Sequence, residues 1–241
     1  MKNLSKYILV AGLGVTAFAC KKDNYAAPSA LLTGNLLYNS DTIYLERNAV
    51  HFQIYQFGFG RVGPVSTNET FEQNGSYSAV LFNGDYKLII PNGDGPFLSK
   101  TDSVAITMKG NQAVDINVTP YYMIRNTAIS ASNRVVTASF GTEKIVTDAN
   151  AKDIERVSLY VNETQFVSNS DYLTQPLQIP KDSAAGKVDL AGSAITDPGS
   201  INLSYRVPSI SNGQTYVYAR VGLKIVGVED LIYSPIFRID L

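Results

Sequence analysis

Alternation constrains this chain more than any other feature. Apolar residues take turns with polar ones at Val50, Phe52 and Ile54, against His51, Gln53 and Tyr55. The same rhythm runs through Val104, Ile106 and Met108, and through Val114, Ile116 and Val118. It returns at Val157, Leu159 and Val161, and at Val217, Ala219, Val221, Leu223 and Ile225. Successive side chains of a strand point to opposite faces, so this period predicts strands with one face buried. Asn74-Gly75, Asn83-Gly84, Asn92-Gly93-Asp94-Gly95, Gly110-Asn111 and Asn212-Gly213 punctuate the strands, and such pairs reach the positive φ that tight hairpins need. No segment carries a long helical stripe, and Thr142 to Asp153 offers a short helix at most. Regularly spaced strands without intervening helices predict an all-β chain of antiparallel sandwiches.

A boundary is expected near Pro120, giving one sandwich over 30–120 and a second over 121–241. About seven strands precede that proline, and Tyr121-Tyr122 opens the second series. Ser168 to Ser200 is rich in Ser, Asp, Gly and Pro, which predicts a long loop region with one or two short strands.

At the N-terminus, Lys2 and Lys6 precede an apolar run from Tyr7 to Ala19. A membrane-spanning helix needs about twenty such residues, so the run reads as a secretory leader over 1–19. Cys20, the one cysteine of the chain, follows the small residues Ala17 and Ala19. The stretch resembles the lipobox of bacterial lipoproteins, although Phe18 is bulky and the usual Leu is replaced by Ala17. The resemblance implies cleavage before Cys20, lipid attachment at Cys20, and a polar tether over 20–29 leading away from a membrane. Lys21, Lys22 and Asp23 resemble the signal that sends some Bacteroidetes lipoproteins to the outer surface of the outer membrane.

Twenty basic and 21 acidic residues, less Lys2 and Lys6 of the leader, leave 18 against 21, a formal charge of −3. That balance argues against nucleic acid, which demands clustered Lys and Arg. With one cysteine no disulfide can form within the chain, so hydrophobic cores must hold the fold.

Two segments, LLTGNLLY (31–38) with VHFQIYQFG (50–58), and NGSYSAVLFNGDYKLIIP (74–91), look like parts of a carboxypeptidase-regulatory or transthyretin-like module. In the second, Gly75-x-Tyr77 and Gly84-x-Tyr86 suggest a hairpin pair whose tyrosines pack over neighbouring strands. DNYAAPSALLTG (23–34), LFNGDYKLIIPNGDGPF (81–97), VDINVTPYYMIRN (114–126), TYVYARVGLKIVG (215–227) and YSPIFRIDL (233–241) widen the match. Together they resemble a family of two-domain Bacteroidetes lipoproteins of unknown function, encoded beside SusC/SusD-type glycan-uptake systems. The resemblance implies a transthyretin-like N-domain, an immunoglobulin-like C-domain, and an accessory role with polysaccharide and SusC/SusD-type outer-membrane proteins as partners. Fold and gene neighbourhood do not by themselves establish an activity.

The residue inventory points away from catalysis and cofactors. His51 is the single histidine, and no G-x-S-x-G elbow accompanies it. Zinc would need several His or Cys ligands. Asp102, Asp115, Glu143, Asp153, Glu155, Glu229 and Asp230 are scattered, without the facing pair a glycosidase requires. Asn92 and Asp94 read first as a turn and only second as a calcium loop. For sugar stacking the candidates are Phe57 and Phe59 in FGFGR, Tyr121 and Tyr122 at the domain junction, and Tyr172 in the long loop. Each has a plainer role in packing, and the lack of Trp weighs against a tight glycan site. Asp41-Thr42, Asp102-Ser103 and Asp182-Ser183 resemble the acceptor pattern of Bacteroidetes O-glycosylation. A competing expectation is structural, since fimbrial subunits of these bacteria are also lipoprotein precursors with transthyretin-like sandwiches. Against it, Ala30 to Ile43 holds no arginine for their maturation cut.

Overall fold

The computed structural model describes residues 26–57, 64–99 and 102–241, with the side chains of 64–68 left aside. The expected leader, Cys20 and Phe59 lie outside the described residues. Four sheets form two sandwiches, so the all-β, two-domain architecture is what the alternation predicts.

In the first sandwich, β1 (Ala30–Tyr38) pairs with β2 (Asp41–Thr42) and β5 (Ser76–Leu81). The facing sheet has the order β4-β3-β6-β7, from β3 (His51–Gln56), β4 (Pro64–Thr70), β6 (Gly84–Ile89) and β7 (Val104–Met108). The buried phase is the expected one: Phe52, Ile54, Tyr86, Leu88, Ile106 and Met108 face Leu32, Leu36 and Tyr77 across the core. Both tyrosines of the repeated Gly-x-Tyr pattern are interior, with Tyr77 donating to the Val114 carbonyl (2.6 Å) and Tyr86 to the Phe82 carbonyl (2.9 Å). Phe52, Phe71 and Tyr77 meet at ring centroid distances of 5.1 to 5.7 Å.

One feature departs from a purely antiparallel sandwich. The other edge of β1 is taken in parallel by β8 (Gln112–Ala113) and β9 (Ile116–Asn117). Parallel neighbours need a long connection, and here the connection is the whole intervening domain. At the centre of this clasp Gly34 lies opposite Tyr77. A Cβ on Gly34 would stand 1.9 Å from the Val114 carbonyl oxygen and 2.6 Å from the Tyr77 ring. The tyrosine therefore fills the space that a side chain on β1 would occupy.

The second sandwich stacks β10 (Tyr122–Ser132), β11 (Val135–Lys144) and β14 (Ile201–Arg206) on a larger sheet. That sheet holds β12 (Ile154–Asn162), β13 (Lys187–Ala191) and β15 (Tyr216–Ile225), with β16 (Ile232–Tyr233) and β17 (Phe237–Asp240) sharing one edge of β15. Val136, Ala138, Phe140, Ile201 and Leu203 meet Val157, Leu159, Val161, Val217, Ala219, Val221 and Leu223 in the core. Residues 145–153, where a short helix had room, run as irregular chain with a turn. The long loop region holds one strand, β13, and one turn of 3₁₀ helix at Gly192–Ala194.

The alternation misses one thing here. In β12 and β15 the second phase is buried as well, including Ser158, Tyr160, Asn162 and Arg220. The outer face of this sheet is roofed by the first half of the long loop, with Val167 and Ser168 fully interior, and by the 44–46 segment of the N-domain.

Replacing Gly34 by Ala should lower the urea midpoint, at a cost of about 1–3 kcal/mol or more because the clash is with backbone. The measurement is equilibrium unfolding of G34A, and an unchanged midpoint would contradict the clasp described above.

Candidate functional site

The site grows out of the covered face. Tyr160 and Arg220 are cross-strand partners, and Gly222 lies opposite Tyr233 on the next strand. A Cβ on Gly222 would meet both tyrosine rings at 2.8 Å, so the absence of a side chain there lets Tyr160 and Tyr233 approach to 6.0 Å. The Arg220 guanidinium stacks on Tyr233, 3.8 Å from the ring centroid. Its side chain is fully buried, and none of its nitrogens has a hydrogen-bond partner among the described residues. Burial pushes its pKa down to about 10, while Tyr233, Glu46, Tyr160 and Asp171 act in the opposite sense. It remains a cation at neutral pH, held by the tyrosine face and by carboxylates from two domains.

Tyr233 ties this cation to the N-domain. Its hydroxyl donates to Glu46 Oε2 (2.6 Å) and accepts from the Asn169 amide (3.1 Å), and burial beside Glu46 raises its pKa well above the ordinary value. The Tyr233 amide donates to the Tyr44 carbonyl (3.0 Å), a single β-bridge between the sandwiches. Two further polar contacts flank the bridge. Arg125 reaches Asp41 at 2.5 Å and Glu143 at 2.6 Å from a bulge in β10, where Asn126 has φ 52°. The Gly95 amide donates to Asp230 (2.7 Å), whose pKa is raised by burial.

Two grooves open along this seam and share Tyr44 and Pro235 as a common wall. One, of 350 Å³, is lined by Asp41, Thr42, Arg125, Asn126 and Tyr233. The other, of 600 Å³, is lined by Arg47, Glu72, Gln73, Asn74, Gln165 and Phe166. Arg47 lies over the Phe166 ring at 4.5 Å. Both volumes fall in the range usual for small-molecule sites, which favour domain interfaces. An aromatic ring, three side-chain amides, a carboxylate and a guanidinium make the larger groove suited to a ligand rich in hydroxyl groups.

The five stacking candidates do not converge. Phe57 is about half exposed at the far end of the N-domain, with Lys87 Nζ 5.5 Å from its ring. Tyr121 and Tyr122 do lie at the junction, but both are buried, 9% and 6% exposed. Tyr122 donates to the Lys152 carbonyl, and Lys152 Nζ approaches the Tyr121 ring at 5.8 Å. These two tyrosines pack the junction and turn no open ring face to solvent. Tyr172 is partly buried against Tyr160, 6.4 Å between centroids. His51 faces Asp94 at 3.3 Å, and Asn92-Gly93 forms a turn. Among the described residues no three metal-ligating side chains gather.

The residues that do build the seam, Tyr44, Glu46, Arg47, Phe166, Arg220 and Tyr233, were not singled out in the sequence. A signal existed for one of them. Arg220 and Tyr218 fall in the polar phase of the longest alternating strand, beside the side-chain-free Gly222, an odd composition for a face left in water.

Two β-sandwiches joined across a polar seam make this a two-domain, all-β protein. The chain belongs to the DUF3823 family: residues 30–119 match the "Protein of unknown function (DUF3823) N-terminal domain" and 122–238 the "Domain of unknown function (DUF3823_C)". It is similar to a DUF3823 protein of Parabacteroides merdae, 32% identical with a TM-score of 0.75, over 89% of this chain and all of that one. A DUF3823 protein of Bacteroides ovatus is 28% identical with a TM-score of 0.72, over 88% of this chain and all of that one. A candidate carbohydrate-binding protein of Bacteroides uniformis shares the fold at 19% identity and a TM-score of 0.64, over 89% of this chain and all of that one. No curated protein matches the chain.

Removing the Glu46 carboxylate with E46A should cost about 1–3 kcal/mol, because Tyr233 loses its buried acceptor and Arg220 a countercharge. R220M should also destabilise, by up to about 3–5 kcal/mol, because it removes the cation stacked on Tyr233 and leaves Glu46 and Asp171 without their countercharge. A double-mutant cycle by urea unfolding should show coupling of about 0.5 kcal/mol or more, and strict additivity would contradict the arrangement.

Proposed function

We propose that this chain is a non-catalytic lipoprotein of the outer membrane, facing the cell exterior, that binds glycan in its interdomain seam. In this reading it serves as an accessory component beside a SusC/SusD-type uptake system. The observation that carries the glycan part is the larger seam groove, where Phe166, Arg47, Glu72, Gln73, Asn74 and Gln165 converge. Sugars offer apolar CH faces and many hydroxyls, and such a lining answers both. The carbohydrate-binding role suggested for the Bacteroides uniformis relative supports the same reading. The lipobox-like run ending at Cys20 supports the anchored location, and the family resemblance supports the uptake-system setting. The non-catalytic part of the reading is supported by the single histidine facing Asp94 at 3.3 Å with no nucleophile motif accompanying it.

The test is affinity electrophoresis of residues 21–241 through gels containing plant, host and microbial polysaccharides. One glycan class should retard the protein, and a double variant R47A/F166A should weaken that retardation at least about tenfold, the equivalent of about 1.4 kcal/mol. A parallel F57A variant should migrate like the wild type. Absence of retardation by every glycan would sink the reading and favour an assembly role, with protein partners as the next search.

A further inference from the structure

Six large apolar side chains are well exposed among the described residues: Leu31, Phe57, Val80, Phe82, Leu177 and Val226. Four of the six gather at one end of the N-domain. Leu31 and Val80 are direct cross-strand partners, and Phe82 follows two residues after Val80. Phe57 stands at the same end on the outer face of the opposite sheet, its amide donating to the Asp85 carbonyl (3.0 Å) at the start of β6. The turn around Lys109 closes the group: the Gly110 amide donates to Asn83 Oδ1 (2.7 Å) and the Leu31 amide to Asn111 Oδ1 (2.9 Å). Thus the start of β1, the ends of β3, β5 and β7 and the start of β6 meet at one pole. Monomeric soluble proteins seldom cluster exposed apolar residues in this way without a partner surface.

We propose that this pole is the membrane-facing end of the molecule and rests on the lipid headgroups, a reading that itself rests on lipid attachment at Cys20. The chain's own path argues for that occupant. β1 begins at Ala30, within the apolar pole, and ten residues back along the sequence is Cys20. Fully extended, that stretch reaches at most about 35 Å, so a lipid on Cys20 holds this pole near the bilayer. The rim fits the surface too. Lys87 lies beside Phe57 and Lys109 is exposed on the closing turn, while Lys21 and Lys22 precede it in the tether. Asp85, the acid at this rim, is hydrogen-bonded to Thr107 (2.7 Å). Basic side chains around an apolar patch suit a phosphate-bearing interface. The nine-residue β1 then carries the chain about 30 Å from this pole to the seam, where Asp41, Tyr44 and Glu46 meet the second sandwich. The anchored protein stands with its N-domain on the lipid and its seam and C-domain held outward.

The chain contains no Trp, so one introduced indole reports its own depth. Residues 20–241 would be coupled through the Cys20 thiol to maleimide-bearing lipid in phosphatidylcholine vesicles, with and without brominated acyl chains. F82W and, as a second probe of the same pole, F57W should be quenched by bromolipid several-fold more than L177W on the C-domain. Quenching of both pole probes no greater than that of L177W, with all variants unfolding at the wild-type urea midpoint, would overturn the proposal. The anchor reading is checked apart from this, by labelling producing cells with a clickable palmitate analogue. A wild-type chain that takes no more label than C20S would overturn the anchor, and with it the membrane-facing pole, whatever the vesicles show.

Discussion

Everything distinctive about this molecule turns on a buried cation. Arg220 lies in the middle of the broad sheet of the second sandwich, on the face that ordinary patterning would leave to water. A guanidinium cannot be buried without compensation, and the compensation comes from several directions at once. Tyr233 supplies a ring face from the adjacent strand, Asp171 a negative field from the covering loop, and Glu46 a second carboxylate from the other domain. Removing any of these leaves charge exposed to a low-dielectric interior. The loop is therefore held down, and the N-domain is held on, by the same requirement.

That requirement also explains how the seam acquires grooves. Beside the junction packed by Tyr121 and Tyr122, the sandwiches meet through the Tyr44–Tyr233 bridge and its flanking ion pair, through hydrogen bonds at Asp230 and between Gln73 and the Gln165 carbonyl, and through Arg47 stacked on Phe166. Beside these contacts the two sandwiches leave the grooves open between them. The larger groove beside the bridge is lined from turns and irregular chain, part of it braced by hydrogen bonds. Asn74, for instance, accepts from both the amide and the hydroxyl of Ser76. Such bracing keeps polar groups in place before any ligand arrives, which limits the ordering cost of binding.

Much of the fold was legible in the sequence because its determinants are local. Period-two alternation and Asn-Gly turns report on a residue's immediate neighbours and yield the strands and hairpins, while the repeated Gly-x-Tyr pattern of the transthyretin-like resemblance predicts Tyr77 and Tyr86 packed over neighbouring strands. The site was less legible because its determinants are not local. Tyr121 and Tyr122 looked like junction aromatics and are at the junction, yet a sequence cannot say that Lys152 approaches the Tyr121 ring and accepts the Tyr122 hydroxyl on its carbonyl. Tyr44 and Tyr233 form the actual bridge and are 189 positions apart. The parallel pairing of β1 with β8 and β9 escaped for a similar reason, since two-residue strands carry no periodicity. The burial of both faces of β12 and β15 could be suspected only from the odd company of Tyr218, Arg220 and Gly222.

The parallel clasp on β1 has a consequence for the order in which the chain can become itself. The first strand of the N-domain finds its neighbours at Asn111 and Asp115 about eighty residues later in synthesis, and the last bond of the seam, Tyr233 to Glu46, spans 187 residues. As the chain emerges, one edge of β1 stays bare until nearly the whole N-domain has followed it. Glu46 waits for its partner until the final strands appear. Arg220 is enclosed only when both sandwiches exist, so the seam becomes a record of completion: a truncated or misassembled chain carries an open edge, an uncovered cation and an unpaired acid.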